Sequence, residues 1–442
     1  PSLGSAGQIL QVNSGESALE FATASTGIPH KIEGTNFTGG LLVGHSTTGS
    51  ILGSEQNTGV GIGALNALSF GDDNVALGYE AGGAITAGSD NVVIGSHAGD
   101  ALTSGEGNVA IGHFALSAED THDANTAVGF ESLKVLNAGA EAHNVAIGYQ
   151  AGLALSTGVD NVIIGSGAGD AVNSGARNVL IGRNAGGALT AVNDTIAIGD
   201  DALATLVGGS ANIAIGHEAL LSYARTNSPG EEGDIAIGHE AGKTMAGAGS
   251  VSKFVLLGYQ AGKVMTRSGA SNSTVIGYQA GVAITSGNSN TIIGSNAGDA
   301  LETGDNNIII GHGAAASSTS VDNEITLGDS SIATIRAQVT SISSLSDKRD
   351  KKDIKDSVYG LNFVDSLKPV TFEWDQRDGN RSGVKDVGFI AQDLQEVDDD
   401  YTRLVYESNP ERLEATYGRL IPIMAKAIQE LSAKVKQLES KK

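Results

Sequence analysis

The chain has no cysteine, so it holds neither a disulfide framework nor a thiolate metal site. Aromatic residues make up 4% of its 442 positions, and prolines number six. A large globular core draws on aromatic area, so the chain is not expected to build one. Positive charge is scarce: 27 Lys and Arg face 50 Asp and Glu, a net charge of -23. That balance repels nucleic-acid phosphate and disfavours docking to anionic lipid, while it keeps a long particle soluble. Uninterrupted apolar runs of membrane-spanning length are missing. The opening "PSLGSAGQILQ" does not read as a signal peptide, and a start at Pro reads as a fragment.

Glycine, in contrast, is abundant, at 62 residues and about twice ordinary usage. It marks a repeat. "NVALGYEAG" at 74–82 returns as "NVVIGSHAG" at 91–99, "NVAIGYQAG" at 144–152 and "NVIIGSGAG" at 161–169. The Gly closing each apolar run falls at 44, 63, 78, 95, 112, 129, 148, 165 and onward to 328, most often in steps of 17. A fixed period of this size indicates a solenoid. Longer steps imply loops, chiefly at 219–234 and 243–254.

Each repeat column has a physical reading. Asn stands four before the Gly in many units (Asn74, Asn91, Asn108, Asn144, Asn161, Asn178, Asn212, Asn290, Asn307). Stacked identical Asn side chains hydrogen-bond from rung to rung. The next three residues, such as Val145-Ala146-Ile147, form a short strand with two apolar faces. One face fills the coil of its own chain; the other calls for a second surface, as a neighbouring chain would provide. The marker Gly either adopts a backbone conformation closed to other residues or avoids a clash. "YQAGLALSTG" suits one helical turn before the Gly-rich return. A monomeric solenoid is the plainer alternative.

The position after the Gly carries His45, His113, His217, His239, His312 and Tyr79, Tyr149, Tyr259, Tyr278. Metal ligands converge on one point, whereas these are spread along the axis and share their column with Ser166 and Asp200. The column reads as exposed and tolerant, and no metal or cofactor is expected. Tyr suits stacking on sugar rings, but nothing singles out a rung. "GVGIG" and "GSGAG" lack phosphate-loop spacing. "DQRDGNRSG" at 375–383 reads as a hairpin turn.

Periodicity stops near residue 330. "SSIATIRAQVTSISSL" alternates like a strand, and "YGRLIPIMAKAIQELSAKVKQLESKK" is helical. Ser346-Asp347-x-Arg349-x-Lys351, Leu367-x-Pro369-Val370-x-Phe372-x-Trp374, Gly388-Phe389-Ile390-Ala391-Gln392-Asp393, Leu420-Ile421-Pro422 and Ala427-Ile428-Gln429-Glu430-Leu431 occur in order. This stretch resembles the S74 peptidase, or intramolecular chaperone, domain that ends many phage tail fibres, tailspikes and endosialidases. The repeats resemble those of tail fibres and, loosely, trimeric autotransporter heads.

The fold class expected is therefore mainly β: a trimeric β-solenoid or β-roll shaft with rungs of 17 residues, then a small α+β chaperone domain ending in a helical coiled coil. The division expected is 1–40 as an N-terminal fibre segment, 41–329 as solenoid, 330–345 as a β linker and 346–442 as chaperone, with a terminal helix at 418–442. The resemblance implies that the domain trimerises the chain, aligns it, and cuts itself off at Leu345–Ser346. It implies Ser346 as nucleophile and Lys351 as general base; Asp347 would orient Lys351 or the scissile peptide. Lys acts as a base only when neutral, so burial or the nearby charges of Arg349 and Lys352 must favour that form.

Partners implied are two further copies, a host surface receptor (glycan or protein) and other tail proteins, on a virion assembled in the host cytoplasm. A depolymerase tailspike and a bacterial surface adhesin are the competing functions. The terminal helix shows a heptad of Ile421, Met424, Ile428, Leu431, Val435 and Leu438. That choice of residues favours two strands in isolation, so the trimer rests on the resemblance.

Overall fold

The computed structural model describes residues 53–139, 141–222, 233–245, 253–266, 271–332, 334–336, 338, 346–376, 382–407, 409, 411 and 413–441, together with the strands Gln8–Val12, Leu19–Thr23, His30–Gly34 and Phe37–Val43. Sixteen three-residue strands, from Thr58–Val60 to Ile325–Leu327, stack into one parallel ladder. Phe37–Val43 opens it, pairing with Thr58–Val60 in parallel and with His30–Gly34 in antiparallel fashion. Like residues face like: Val145 meets Val162, and Ile147 meets Ile164. The mainly β solenoid with 17-residue rungs is what the repeat predicted. Longer rungs keep the register, since Ile213 still pairs with Ile235 and Ile235 with Val255. The extra segments 223–232 and 246–252 lie outside the described residues.

The middle residue of each strand from Thr58–Val60 to Ile308–Ile310 points into the coil and is fully buried, as at Ala146, Ile163 and Leu180, while Thr326 of the last strand is half-buried. It packs with Ala151, Leu155, Ala168 and Val172 of the return segments in one continuous core. Ala suffices at many positions because the coil is narrow. The first and third strand residues face outward, half-exposed in most rungs.

The Asn column forms the expected ladder, fully buried. Asn161 Nδ2 donates to Asn144 Oδ1 at 3.0 Å and to Gly175 O at 2.8 Å, while its backbone N–H also reaches Asn144 Oδ1. Asn57 and Asn125 join the same column. Two details differ from expectation. The marker Gly of the first three-residue rung is Gly61, not Gly63: its φ is +139° and it stacks on Gly78. Marker glycines meet both proposed needs, since Gly165 has φ +137° and a Cβ there would lie 2.3 Å from Gly182 O. The stretch after them is no helical turn. Glu80 and Gly82 sit at φ +54° and +57°, and Gly82 N–H bonds to Ala98 O of the next rung. Rung-to-rung bonding has replaced the helical pattern.

The C-terminal region has a core of its own and touches the last rung, where Tyr406 Oη donates to Glu324 Oε2 at 3.2 Å. Helices α1 (Leu361–Ser366), α2 (Ala391–Gln395) and α3 (Leu420–Glu439) surround a small core of Leu394, Leu404, Val405, Leu420 and Ile423. Val370–Glu373 pairs antiparallel with Lys385–Gly388, as a hairpin around 375–383 requires; residues 377–381 are outside the described set. Of the linker expected to be strand, residues 330–332, 334–336 and 338 form none. Ile332 and Ile335 are exposed; an alternating segment needs a partner surface, and the described residues offer none here. Among the described residues no helix is long and apolar enough to cross a membrane.

Candidate functional site

Two features carry chemistry. The first lies at the start of the C-terminal region. Lys348–Asp350 form a 3-10 turn. Asp347 caps it, its Oδ1 accepting Arg349 N–H at 2.8 Å. Lys351 leaves the turn with extended backbone, φ -124° and ψ 139°. This reversal closes the five-residue gap: Lys351 Nζ lies 2.6 Å from Ser346 Oγ and 3.3 Å from Ser346 O. An ideal helix would have kept the two side chains apart.

Asp347 faces elsewhere. Arg349 grips its carboxylate with Nε at 3.1 Å from both oxygens and Nη2 at 2.6 Å from Oδ2. The side-chain bonds from Arg349 hold the Asp347 carboxyl below its ordinary range. The same pair neutralises Arg349 as a source of positive charge for Lys351. Ser346, Lys351 and Lys352 are exposed, and Leu345 lies outside the described residues, so only one side of the expected scissile bond is described.

Residues 346–405 match the Peptidase_S74 family model, described as chaperone of endosialidase.

The match begins at the expected nucleophile. It joins a β-solenoid to an intramolecular chaperone of the tail-fibre or tailspike type. No curated protein and no solved structure matches the chain.

The motifs quoted from the sequence serve the packing of this S74 segment and of α3, which follows it. Phe372 meets Trp374 edge-on at 5.1 Å. Tyr417 Oη accepts Phe389 N–H at 3.2 Å and fills the space over Gly388, where a Cβ would lie 2.5 Å from that oxygen. Glu430 of α3 accepts the N–H of Leu361 at 2.8 Å and so caps α1. Tyr359 Oη donates to Asp399 at 2.5 Å, which pushes the phenol up to about 12. The Phe372–Trp374 pair follows from its spacing of two at the end of a strand; the other three partnerships have no local spacing signal, because each joins residues at least 28 positions apart.

The second feature is apolar. The outward Val, Ile and Leu of the strands form two rails along the ladder; Leu77 is 48% and Ile147 39% exposed. On α3, Leu420, Ile423 and Ala427 are buried, yet every heptad residue from Ile421 to Leu438 is exposed, Ile428 at 66%. The seam is turned away from its own domain.

The column after the marker Gly stacks into ring ladders. His113, Phe130 and Tyr149 form one, with centroids 5.5 and 5.4 Å apart. His217, His239, Tyr259 and Tyr278 form another at 5.0 to 5.1 Å. Their faces cover one another, which leaves mainly edges for any sugar.

Proposed function

We propose that the chain is a phage tail-fibre protein whose S74 segment, with α3, assembles three copies and is then released by its own cleavage. The division at 1–40, 41–329, 330–345 and 346–442 is part of this reading. The rails supply the reason for association. A β-sheet face of Val and Ile left to water forgoes about 25 cal/mol for each Å² that a neighbour would cover. The near-identical rungs supply the reason for a chaperone. Slipping by one rung keeps like against like, so register is poorly specified by the shaft itself. A clamp at one end raises the effective concentration of the other two chains and fixes the starting rung. Removing it afterwards leaves a fibre whose persistence is kinetic. The mature shaft then presents its outer columns to a host surface receptor and joins other tail proteins.

The observation that carries the reading is the Lys351–Ser346 contact of 2.6 Å at the first residue of the S74 match. In cleavage, neutral Lys351 takes the Ser346 hydroxyl proton and Oγ attacks the Leu345 carbonyl carbon. The Leu345–Ser346 C–N bond breaks, the freed amine takes a proton, and water hydrolyses the ester. Lys351 is exposed in the single chain. Burial by two further copies favours the neutral amine, which couples cleavage to assembly.

A denaturing gel with intact-mass measurement tests this. The wild type is expected to give two fragments meeting at Leu345/Ser346, and Ser346→Ala a single parent species. A single uncut species for the assembled wild type contradicts self-cleavage.

A further inference from the structure

One column of the shaft interior is broken by a charged residue. Seven positions after the marker Gly, the rungs place Ile85, Leu102, Leu136, Leu155, Val172 and Leu189, all fully buried. Between Leu102 and Leu136 the chain has Glu119, equally buried. Three residues on, where the neighbouring rungs have Gly88, Gly105 and Gly139, stands His122. The two departures from the repeat meet: His122 Nδ1 lies 2.6 Å from Glu119 Oε1.

The carboxylate is unevenly served. Oε1 also accepts the N–H of Asp120 at 3.1 Å and of His122 at 3.2 Å. Oε2 is buried and has no hydrogen-bond partner. An unpaired carboxylate oxygen in an apolar interior is costly. A cation held by this carboxylate would offset its buried charge. Asp120 completes a set with Glu119 and His122 in which one ligand atom from each lies within 4.8 Å of the others. The backbone under the set is held by the rung below: Thr103 N–H and Oγ1 bond to Asp120 O at 2.6 and 2.8 Å, and Asn108 Nδ2 to His122 O at 2.9 Å.

We propose that Glu119, Asp120 and His122 bind a divalent transition-metal ion, zinc by ligand type, in a built site within the shaft. Two carboxylates and one imidazole suit zinc, with water as the fourth ligand. Ligand distances of about 2.0–2.2 Å require His122 and Glu119 to part slightly. The His122 side chain is 14% exposed, so it borders solvent. The ion would offset a polar defect of the inner column and fix the conformation of the 119–122 turn.

Equilibrium dialysis of the full chain against zinc chloride, with metal quantified, tests the site. Glu119→Leu restores the column and His122→Gly restores the neighbouring residue type, so both variants are expected to fold. Wild type is expected to hold one zinc per chain more than either variant, and zinc to raise the unfolding temperature of wild type alone. Equal zinc uptake by wild type and either variant, or no uptake by any, overturns the proposal.

Discussion

Asn178 Nδ2 donates to Asn161 Oδ1 at 3.0 Å, and Asn178 N–H reaches the same oxygen at 3.1 Å. One side chain therefore serves both the backbone and the side chain of the next rung, while its own amide reaches the rung before. Asn161→Ala strands buried groups at Gly175 O and Asn178. Each lost partner costs about 1–3 kcal/mol, so the expected loss is about 3 kcal/mol or more, measured by denaturant unfolding under matched conditions. A loss no larger than that of an exposed-column change contradicts the ladder's role.

The marker glycines make a sharper comparison. Gly165→Ala drives a Cβ to 2.3 Å from Gly182 O, which is backbone and cannot turn aside. Gly167, two residues on, has φ +66°, and a Cβ added there would meet no heavy atom nearer than 3.9 Å. Gly167→Ala is expected to cost about 1 kcal/mol for its left-handed backbone. Gly165→Ala is expected to cost several times that, seen as faster thermal unfolding. Equal losses for the two contradict close stacking of the marker glycines.

The shaft also carries an acid-sensitive network. Lys243 at 2.6 Å, Lys263 at 2.8 Å and Gln260 at 2.6 Å converge on Glu240. These bonds, that from Lys243 foremost, hold the Glu240 carboxyl well below its ordinary value. The folded value lies under the unfolded one, so the contribution is present above the ordinary carboxylate range. It fades as pH falls from about 5 toward the depressed value. Glu240→Gln is expected to be less stable than wild type near neutrality and to approach it in acid. An unchanged gap across that range contradicts the coupling.

The seam on α3 separates folding from assembly. Ile428 is exposed, while Leu420, Ile423 and Ala427 hold the helix to its domain. Ile428→Lys is expected to leave the helical circular dichroism in place and weaken association in sedimentation. Full association of this variant contradicts a role for the heptad.

Much of the shaft is legible in the sequence because a repeat shows its own constraints. A column that is nearly always Asn, or always Gly, is read without knowing what lies beside it. Asn57 and Gly61 are harder, since "GVGIG" offers two candidate glycines and only the stacking on Gly78 decides between them. The stretch after the marker suits a helical turn by its Ala-Gly-rich text, while the left-handed backbone at Glu80 follows from bonds to other rungs. In the C-terminal region, the proximity of Ser346 and Lys351 depends on the 3-10 turn between them. The grip of Arg349 on Asp347 does not follow from the resemblance, which gives Asp347 a different partner. Glu119 is silent in the sequence because it is a surface-type residue in a polar stretch. Its burial appears only when the rungs are aligned.

In the proposed fibre, three chains lie side by side along their Val and Ile rails. Sedimentation equilibrium of the purified full-length protein tests it most directly, beside the same shaft expressed without residues 346–442. The expected result is a native mass three times that of one complete set of its denatured fragments for the first, and failure of the second to reach that state. A monomer that is stable, soluble and indifferent to the deletion would contradict it.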